Sequence, residues 1–511
     1  MELRKLTLGI DLGTNGCKAS VLSSSGSVVG SAFREYQTYF PEPGWAEQNP
    51  QEWYEVAVAT AKEALSEAHV HRGEVLSIGL SGHLHSSTYL GKSGEVLRPA
   101  IVWMDQRSER QVEWLKTNIG DDVISAITYS FPSTTHTISH VLWVKENQPE
   151  VWKRIVHIIQ PKDYINLRLT GRIATDYSTA SATMMMDGRN LVWSRQICDK
   201  AKIPLEILPE VASPDEVIGH LNRQASADTG LAEGTPVVAG AGDAPGESLA
   251  TGLLHDGDCL IRIGTCVVIL VVTRKPVADR RIMYLGHVLK HAWLTTAATQ
   301  TAGEALRWYR DTFYAGKVGA SAESGNSTYQ VIDSEAMAVP VGSEGLIFHP
   351  YLMGERSPYW DPQLKGDFIG ITTRHTRGHF SRAVLEGIAL SIRDCLEAFH
   401  DLKIPVTSVK FIGGGAKSPL WRKIVCDVLG DDIAVPVGAD PSVGVAMLAG
   451  VGVGVFADHE EAVTRCLKIG AFEKPDQEAH KSYERLFPIY KKAHDRTSEI
   501  DHDLHSYVKG R

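Results

Sequence analysis

Two stretches of the chain alternate short apolar runs with turn residues in the same way. Residues 6–40 contain the segments LTLGID, KASVLSS and GSVVGSAF, separated by Gly16 and by the polar turn SSSG at 23–26. Apolar runs of this length bounded by turn residues predict strands, so we expect a β-meander. The stretch CLIRIGTCVVILVV, residues 259–272, predicts a second strand–turn–strand segment.

Segments with helical periodicity alternate with further strands. NPQEWYEVAVATAKEAL predicts a helix with Asn49 as N-cap, Pro50 at its first position and Glu52 completing a capping box. Strands are expected in EVLSIGLSG and LRPAIVW, and another helix over 381–402. This alternation favours an α/β layer architecture.

A domain boundary is predicted in EGTPVVAGAGDAPGES, residues 233–248. That segment has the pattern of a buried strand, a glycine-rich loop and a helix start, and the second meander begins just after it. We expect two domains, 1–240 and 241–511, the second ending in a helical tail from about residue 470. Because no flexible linker separates them, the domains are expected to pack closely around a cleft.

Charge and cysteine usage narrow the class of protein. The formal net charge is −9 and no lysine- or arginine-rich patch occurs, which argues against a nucleic-acid partner. The apolar stretch 443–457 is too short for a bilayer span. The seven cysteines form no CxxC pair, which argues against a zinc site or disulfide framework. Together with a start that enters a strand directly, these features predict a cytoplasmic enzyme without a membrane partner.

An acidic residue in an apolar strand is the strongest chemical signal. Asp11 lies between Ile10 and Leu12 and is followed by Gly13 and Thr14. A lone carboxylate there costs several kcal/mol unless a cation or hydrogen-bond donors compensate it, and a magnesium–phosphate group would do so.

The same Gly-Thr pair returns as Gly264 and Thr265. Backbone N–H groups of such turns can face a phosphate. Each pair alone is more simply a hairpin turn, whereas two matched pairs favour ATP chemistry.

Two further segments have both a structural and a chemical interpretation. IGGGA at 412–416 follows a predicted strand and precedes a helix, which suits a nucleotide, although it lacks the P-loop pattern. Asp243 in GAGDAPGE is either a helix N-cap or a general base that takes a proton from a substrate hydroxyl. Lys18 could add a positive charge to a phosphate.

The loop SGHLHSS places His83, Leu84 and His85 after a strand. Two histidines at this spacing could ligate a metal, but no further ligand motif supports that, and a polar wall of a sugar pocket is favoured. Trp103 and Asp105 follow another strand and could line the same pocket, with the ring over a sugar face and the carboxylate on its hydroxyls. For Trp103, a place in the core is the structural alternative.

These segments together resemble the FGGY carbohydrate kinase family, and within it the xylulokinases. The resemblance covers nearly the whole chain and rests on motifs in the family's order: IDLGTNGCK, GWAEQNPQEWYE, SGHLHSS, GAGDAPG, IGTCVV, TAGEALRW, PYLMGERSP, GDFIGITTRHTRGHFSRAVLEG and FIGGGAKSPLW. It implies two actin-like, ribonuclease-H-like ATPase domains flanking a catalytic cleft where ATP and a sugar meet. A homodimer is a further expectation from relatives.

The resemblance assigns Asp243 as the catalytic base and Asp11 as the acid that holds Mg²⁺, through water. With the residues singled out above, the expected sugar contacts are His83, Leu84, His85, Trp103, Asp105 and Asp243. The expected ATP contacts are Gly13, Thr14, Lys18, Gly264, Thr265, Gly303, Arg307, Gly414, Gly415 and Ala416.

Two departures from the family pattern bear on the substrate. His140 stands where the first family signature usually has lysine, although Trp143 is kept. The loop reads His83-Leu84-His85-Ser86 where xylulokinases usually have Gln-Met-His-Gly, and its last two residues resemble gluconate-type kinases.

We therefore expect an ATP-dependent kinase that converts D-xylulose to D-xylulose 5-phosphate. Gluconate, ribulose or a related polyol is the alternative substrate. The alternatives of another class are an actin-like ATPase with a chaperone or assembly role and a catalytically silent sugar sensor.

Overall fold

The computed structural model describes residues 4–315 and 327–509, and these divide into two compact units. Unit 1 takes the described residues within 1–254, 272–294 and 438–468, and unit 2 takes those within 255–271, 295–437 and 469–511. The units are thus interleaved along the chain. The expected division into contiguous domains 1–240 and 241–511 stays a prediction.

The strands of the described part are listed here in chain order: β1 Leu6–Leu12, β2 Gly16–Ser23, β3 Val28–Glu35, β4 Glu47–Gln48, β5 Val75–Gly82, β6 Thr88–Leu90, β7 Ala100–Ile101, β8 His157–Ile159, β9 Ala174–Asp176, β10 Met186–Asp187, β11 Val192–Trp193, β12 Glu210–Ala212, β13 Val217–His220, β14 Pro236–Val238, β15 Ala241–Gly242, β16 Asp258–Ile263, β17 Val267–Thr273, β18 Met283–Gly286, β19 Trp293–Ala298, β20 Ile347–His349, β21 Asp367–Ile369, β22 Ser408–Gly413, β23 Ile433–Pro436 and β24 Ile469–Glu473.

The α-helices are α1 Pro50–Glu67, α2 Glu109–Asn118, α3 Asp121–Thr128, α4 Thr137–Asn147, α5 Pro149–Trp152, α6 Pro161–Thr170, α7 Tyr177–Ser181, α8 Arg195–Ala201, α9 Arg223–Thr229, α10 Asp243–Ala250, α11 Gly303–Phe313, α12 Thr328–Met337, α13 Arg377–Asp401, α14 Pro419–Leu429, α15 Pro441–Gly452, α16 His459–Cys466 and α17 Gln477–Lys509.

The main sheet of unit 1 is mixed. Its strand order is β13-β14-β5-β1-β2-β3, and β15 pairs with β5. Strands β1, β2 and β3 form the predicted antiparallel meander, whereas β5 runs parallel to β1 and β15 runs parallel to β5. Every residue of β1 is buried, as expected for a strand covered on both faces. The carboxyl ends of β1, β5 and β15 therefore meet at one edge of the sheet.

Helix α1 covers one face of this sheet. Its buried residues, which include Trp53, Ala57, Ala61 and Ala64, recur at helical spacing and form one apolar side. The Asn49 side chain accepts a hydrogen bond from the Gln51 N–H, so the predicted N-cap is confirmed. The predicted capping box is wrong, because among the described contacts Asn49 caps the helix without a reciprocal bond from Glu52.

Helix α15, which is distant in sequence, covers the other face. It lies so close to β1 and β5 that a Cβ on Gly9 would be 1.8 Å from the Ser442 carbonyl oxygen, and one on Gly79 would be 2.1 Å from the Val445 carbonyl oxygen. Glycine is required at both positions for this approach. The Thr7 hydroxyl also donates to the Ala446 carbonyl oxygen at 2.8 Å.

Unit 2 contains a second mixed sheet, in which strands are hydrogen-bonded in the order β17-β16-β22-β23-β24. Strands β16 and β17 form the predicted strand–turn–strand pair, and β22 runs parallel to β16. This repeats the relation of β1, β2 and β5 in unit 1. The predicted helix over 381–402 is found within α13, and the predicted helical tail is found as α17.

The α/β fold class is confirmed by these two mixed sheets. None of the seven cysteines, all of which lie in the described ranges, forms a disulfide. Within the same ranges, no helix has the length and apolar character needed to cross a membrane.

Candidate active site

The parallel strands of unit 1 bring two acidic residues to one sheet edge. Asp11 is directly opposite Ser81 in the β1–β5 pairing, and Ala241 is opposite Ser81 in the β15–β5 pairing. Asp243 follows β15 at once as the first residue of α10. The chain thus places Asp11 and Asp243 at neighbouring strand ends although they are far apart in sequence.

Asp11 is a buried carboxyl group in an acidic environment. Its Oδ1 accepts a hydrogen bond from the Ser81 hydroxyl at 2.8 Å. Burial, followed by the negative charges of Asp243, Asp440 and Glu247, raises the pKa of Asp11 to about 8. The site is therefore short of positive charge, which is the condition under which a cation binds favourably.

Asp440 and Glu247 were not anticipated from the sequence. Asp440 is the N-cap of α15, where its Oδ1 accepts from the Ser442 N–H at 2.9 Å, and its Oδ2 pairs with the Lys18 ammonium at 2.7 Å. The Asp-Pro-Ser sequence was a readable N-cap signal, but only the docking of α15 brings it to this edge. Lys18, the predicted phosphate contact, is occupied by this ion pair.

Asp243 lies inside the first turn of α10 rather than at its N-cap. Gly242 is the N-cap residue, so the N-cap interpretation of Asp243 is wrong. The Asp243 Oδ1 accepts from the Ala244 N–H at 2.8 Å, and the residue is half-buried. A carboxylate in the first turn is favoured by the helix dipole and remains accessible to a bound hydroxyl.

The first Gly-Thr turn is held by side chains. The Tyr36 hydroxyl donates to the Gly13 carbonyl oxygen, and the Gln48 amide donates to the Thr14 carbonyl oxygen at 2.8 Å. The Trp103 indole N–H donates to Thr14 Oγ1 at 3.0 Å. Trp103 is half-buried beside this turn, so its ring is anchored at one end next to the acidic edge.

The loop after β5 presents buried neutral histidines. His83 Nδ1 lies 2.8 Å from the Ser86 hydroxyl, and His85 Nδ1 lies 2.7 Å from the Ala182 carbonyl oxygen. Burial lowers the pKa of His83 to about 3 and that of His85 to about 4. Because a carbonyl only accepts, His85 carries its proton on Nδ1, and its Nε2 is left as an acceptor.

The backbone around this loop adjoins Asp243. His85 has a φ of +67°, a left-handed conformation that is unusual for a non-glycine residue and is common at binding sites. The Leu84 side chain packs on Gly242, where a Cβ would be 2.3 Å from Leu84 Cδ2. Gly242 therefore has to lack a side chain for the loop and Asp243 to stay adjacent.

Asp105 has a different role from the predicted one. Its carboxylate forms an ion pair with Arg107 at 2.7 Å and accepts from the Ala46 N–H at 2.6 Å. The side chain is fully buried, at 0% exposure. Arg107 also pairs with Glu47 at 2.7 Å and lies 3.7 Å from the Trp45 ring centroid. We therefore remove Asp105 from the expected sugar contacts, because its oxygens bind protein donors beneath the surface.

His140, the departure from the family pattern, is part of the same buried network. Its Nε2 donates to the Thr134 carbonyl oxygen at 2.8 Å, and burial lowers its pKa to about 4. His136 packs edge-on against His85, with ring centroids 5.1 Å apart. Position 140 therefore carries a buried neutral ring rather than a lysine cation, and it is the neighbouring His136 that packs on the substrate loop.

The second Gly-Thr turn, in unit 2, is held by a helix N-terminus. The Gly303 N–H donates to the Gly264 carbonyl oxygen at 3.0 Å, and the Ala302 and Glu304 N–H groups donate to the Thr265 carbonyl oxygen. A Cβ on Gly303 would lie 2.3 Å from the Gly264 oxygen. The turn itself is exposed, and a Cβ on Gly264 would meet only the Cys266 oxygen, at 3.9 Å.

The IGGGA loop lies beside this turn at the next strand end. Ile263 is opposite Gly413 in the β16–β22 pairing, so Gly264 and Gly414 each follow one of these paired positions. Gly414 is exposed, while Gly415 packs against Ile263 and Ala416 is buried. Arg307, one turn into α11, pairs with Glu304 at 2.6 Å and is 58% exposed. The predicted ATP contacts of unit 2 thus share one edge of its sheet.

The chain is similar to known proteins over most of its length. The sequence profile described as the N-terminal domain of the FGGY family of carbohydrate kinases matches residues 6–248, and that of the C-terminal domain matches residues 259–453. A xylulose kinase of Bacillus subtilis (strain 168) is 32% identical over 508 residues, which cover 99% of this chain and 100% of that protein. The chain belongs to the FGGY family of carbohydrate kinases.

Relatives of the chain in this family are named for different substrates. A gluconokinase of Bacillus subtilis (strain 168) is 30% identical over 492 residues, which cover 94% of each protein. The crystal structure of xylulose kinase from Rhodospirillum rubrum superposes with a TM-score of 0.89 at 27% identity, covering 97% of this chain and 100% of that one. As an FGGY carbohydrate kinase the chain is a phosphotransferase with an alcohol acceptor and uses ATP.

Proposed function

We propose that this FGGY kinase transfers the γ-phosphate of ATP to the C5 hydroxyl of D-xylulose, with Asp243 as the general base. The observation that carries the assignment is the meeting of Asp11 and Asp243 at neighbouring strand ends of unit 1. Phosphoryl transfer requires alignment, neutralisation of charge and one base near the acceptor hydroxyl. At this sheet edge Asp11 is buried and Asp243 is half-buried, so the two acids lie in different environments.

Asp243 has the accessibility that a base requires. In the reaction it removes the proton from the sugar hydroxyl while that oxygen forms a bond to the γ-phosphorus and the bond to the β–γ bridging oxygen breaks, releasing ADP. The bond from the Ala244 N–H orients the carboxylate through Oδ1. Half-burial leaves the group open to a bound substrate.

Asp11 suits the role of a magnesium-side acid. Among the described residues, no group of three or more histidine, cysteine, aspartate or glutamate side chains could hold a metal ion. Mg²⁺ in kinases is commonly held by one or two carboxylates together with substrate phosphates and water, so a single buried aspartate fits. When bound, the ion neutralises charge on the phosphoryl oxygens, and Asp11 with its Ser81 partner keeps one ligand oxygen in place.

The nucleotide contacts are proposed for the sheet edge of unit 2. Gly264, Thr265, Gly303, Gly414 and Gly415 surround two adjacent strand ends there, and Ala416 and Arg307 are the outer members of the set. The exposed Gly264 leaves room for a phosphate to approach the backbone closely. In unit 1, Gly13 and Thr14 are proposed to face the transferred phosphate, whereas Lys18 is held in its ion pair with Asp440.

The histidine loop favours an uncharged sugar over a sugar acid. His85 offers an acceptor nitrogen to a hydroxyl donor, and burial keeps the pKa of both His83 and His85 well below neutrality. Nearby buried cations are already paired, since Arg107 binds Asp105 and Glu47, and Lys162 binds Asp163 and Asp176. A carboxylate would therefore be desolvated here without a cationic partner, which favours the ketose over gluconate.

A substrate panel tests the proposal. ADP release from MgATP would be measured with D-xylulose, D-ribulose, D-gluconate and no sugar, using purified protein. We expect turnover that depends on sugar, with kcat/KM for D-xylulose at least about tenfold above that for gluconate, because the acid would bury an unpaired charge.

Equal or better turnover of gluconate would refute the choice of sugar while leaving the kinase assignment intact. ATP hydrolysis independent of any sugar would instead favour the actin-like ATPase alternative. A cytoplasmic location and a homodimer stay predictions.

A further inference from the structure

The PYLMGERSP motif has no contact assigned to it by the proposed mechanism. Residues 350–357 of this motif bind residues 298–301, which lead into helix α11 of unit 2. The Thr301 hydroxyl donates to the Pro350 carbonyl oxygen, the Ser357 N–H donates to the Ala298 carbonyl oxygen at 3.0 Å, and Arg356 Nη2 donates to the Thr299 carbonyl oxygen at 2.6 Å.

Glu355 is a buried acid of the same motif that also binds this segment. Its side chain accepts from the Gln300 N–H and, at 2.8 Å, from the Arg356 N–H, both through Oε1. Oε2 is buried and has no hydrogen-bond partner among the described residues. The residue is only 4% exposed. One oxygen of this buried acid accepts hydrogen bonds from two backbone N–H groups. The side chain therefore holds the backbone in position.

The segment that Glu355 holds leads directly to the second Gly-Thr turn. Gln300 is two residues before Ala302, whose N–H donates to the Thr265 carbonyl oxygen at 2.9 Å. Gly303 and Glu304 follow and donate to the same turn. A displacement at Gln300 therefore moves the donors that define the position of Gly264 and Thr265.

We propose that Glu355 is a positioning residue for nucleotide binding, acting through α11 on the Gly264–Thr265 turn. The inference rests on the proposed role of that turn in ATP binding. Burial raises the pKa of Glu355 to about 8, which favours the protonated acid at pH 7, so glutamine is a close substitute for it. In a glutamine variant the amide oxygen keeps both backbone bonds, and the amide nitrogen replaces the unpartnered Oε2.

The test compares Glu355→Ala with Glu355→Gln at pH 7. In Glu355→Ala the Gln300 N–H loses its acceptor, and we expect the KM for ATP and the Kd for ADP to rise about tenfold or more, with the KM for the sugar changed less than about twofold. Glu355→Gln is expected to restore both nucleotide constants to within about threefold of the wild type.

Glu386→Gln is the matched control. Glu386 is another buried glutamate of unit 2, and it binds the Gly342 N–H, Ser343, Arg382 and Tyr483 rather than the segment before α11. It should lower thermal stability without a selective change in nucleotide affinity.

Unchanged nucleotide constants in Glu355→Ala, or equal rises in the nucleotide and sugar KM, would overturn the inference. So would a Glu355→Gln variant as defective as the alanine one. If the wild type itself bound no ADP in a direct binding measurement, the proposed function would fail instead, so the two failures are distinguishable.

Discussion

The two Gly-Thr turns occupy the same place in their sheets, but they differ in the charge of a nearby residue, in exposure and in the groups that hold them. Each joins an antiparallel strand pair whose first strand has a parallel neighbour on its other side. Two residues before the glycine, unit 1 has Asp11 and unit 2 has Arg262. The first turn is half-buried and held by side chains, whereas the second is exposed and held by backbone donors of α11.

The same arrangement of strands can therefore serve different tasks when the residues around the turn differ. Acid groups gather at the edge of unit 1, where a metal ion and a proton would be handled. The exposed glycine of unit 2 leaves backbone surface for a nucleotide. We therefore propose that the chemistry depends on unit 1 and the nucleotide affinity on unit 2.

The largest effect is expected at the acidic edge. Asp243→Asn removes the proposed base while keeping the size of the side chain, and kcat should fall at least about a hundredfold with the KM for ATP little changed. Steady-state kinetics at saturating sugar would measure this. Asp228 on α9 of the same unit accepts a hydrogen bond from the Tyr54 hydroxyl, and Asp228→Asn, which removes only its charge, should leave kcat near normal.

Asp11→Asn tests the second acid through activity and stability together. Activity with MgATP should fall about tenfold to a hundredfold, because an amide is a poor ligand for Mg²⁺. The folded protein keeps a proton on Asp11 up to its raised pKa of about 8, whereas the unfolded chain loses it near pH 4. Wild-type stability therefore falls as pH rises from about 4 to 8.

Asparagine has no charge to bury, so the stability of the Asp11→Asn variant should not fall in this way as the pH rises. At pH 8 its free energy of unfolding in urea should exceed that of the wild type by ~2–4 kcal/mol, and the difference should vanish near pH 4. A constant difference between pH 4 and pH 8 would contradict the buried-acid account.

Two glycine substitutions test whether the Gly264–Thr265 turn of unit 2 faces ATP. Gly264→Ala meets only one neighbour, at 3.9 Å, so the fold should tolerate it, yet its methyl group would obstruct a phosphate and raise the KM for ATP about tenfold. Gly303→Ala, whose Cβ would be 2.3 Å from the Gly264 oxygen, should raise the same KM and also lower the melting temperature. Normal nucleotide affinity in Gly264→Ala would show that the turn does not face ATP.

The smallest effect is expected at the first turn's side-chain support. Trp103→Phe keeps a ring but removes the donor to Thr14 Oγ1, and loss of one such bond should cost ~1 kcal/mol and reduce kcat/KM a few-fold. Thr14→Val removes the other partner. A double-mutant cycle should show that the two losses are not additive.

Local sequence patterns predicted several of the strands and helices but not the contacts between distant segments. The alternation of apolar runs and turns gave β1, β2, β16 and β17, because strand period and turn chemistry are local properties. No local signal could place α15 against β1, since that packing depends on Gly9 and Gly79 opposite a helix far along the chain.

The residues of the candidate site were also predictable only where the signal was local in the sequence. Asp11 was identifiable because a charge in an apolar strand is locally anomalous, and the α10 start was identifiable around Asp243. Asp105 was misjudged because its partners Arg107 and Ala46 complete a buried network that only the folded chain assembles. Asp440 joined the acidic edge for the same reason.

Measuring the ADP dissociation constant and kcat side by side in Asp243→Asn and Gly264→Ala tests the separation of tasks most directly. We predict a crossed result: Asp243→Asn keeps the wild-type dissociation constant and loses turnover, and Gly264→Ala weakens ADP binding while kcat at saturating ATP stays near normal. If both variants lost both properties, or Asp243→Asn turned over sugar normally, the assignment of chemistry to unit 1 and nucleotide affinity to unit 2 would be contradicted.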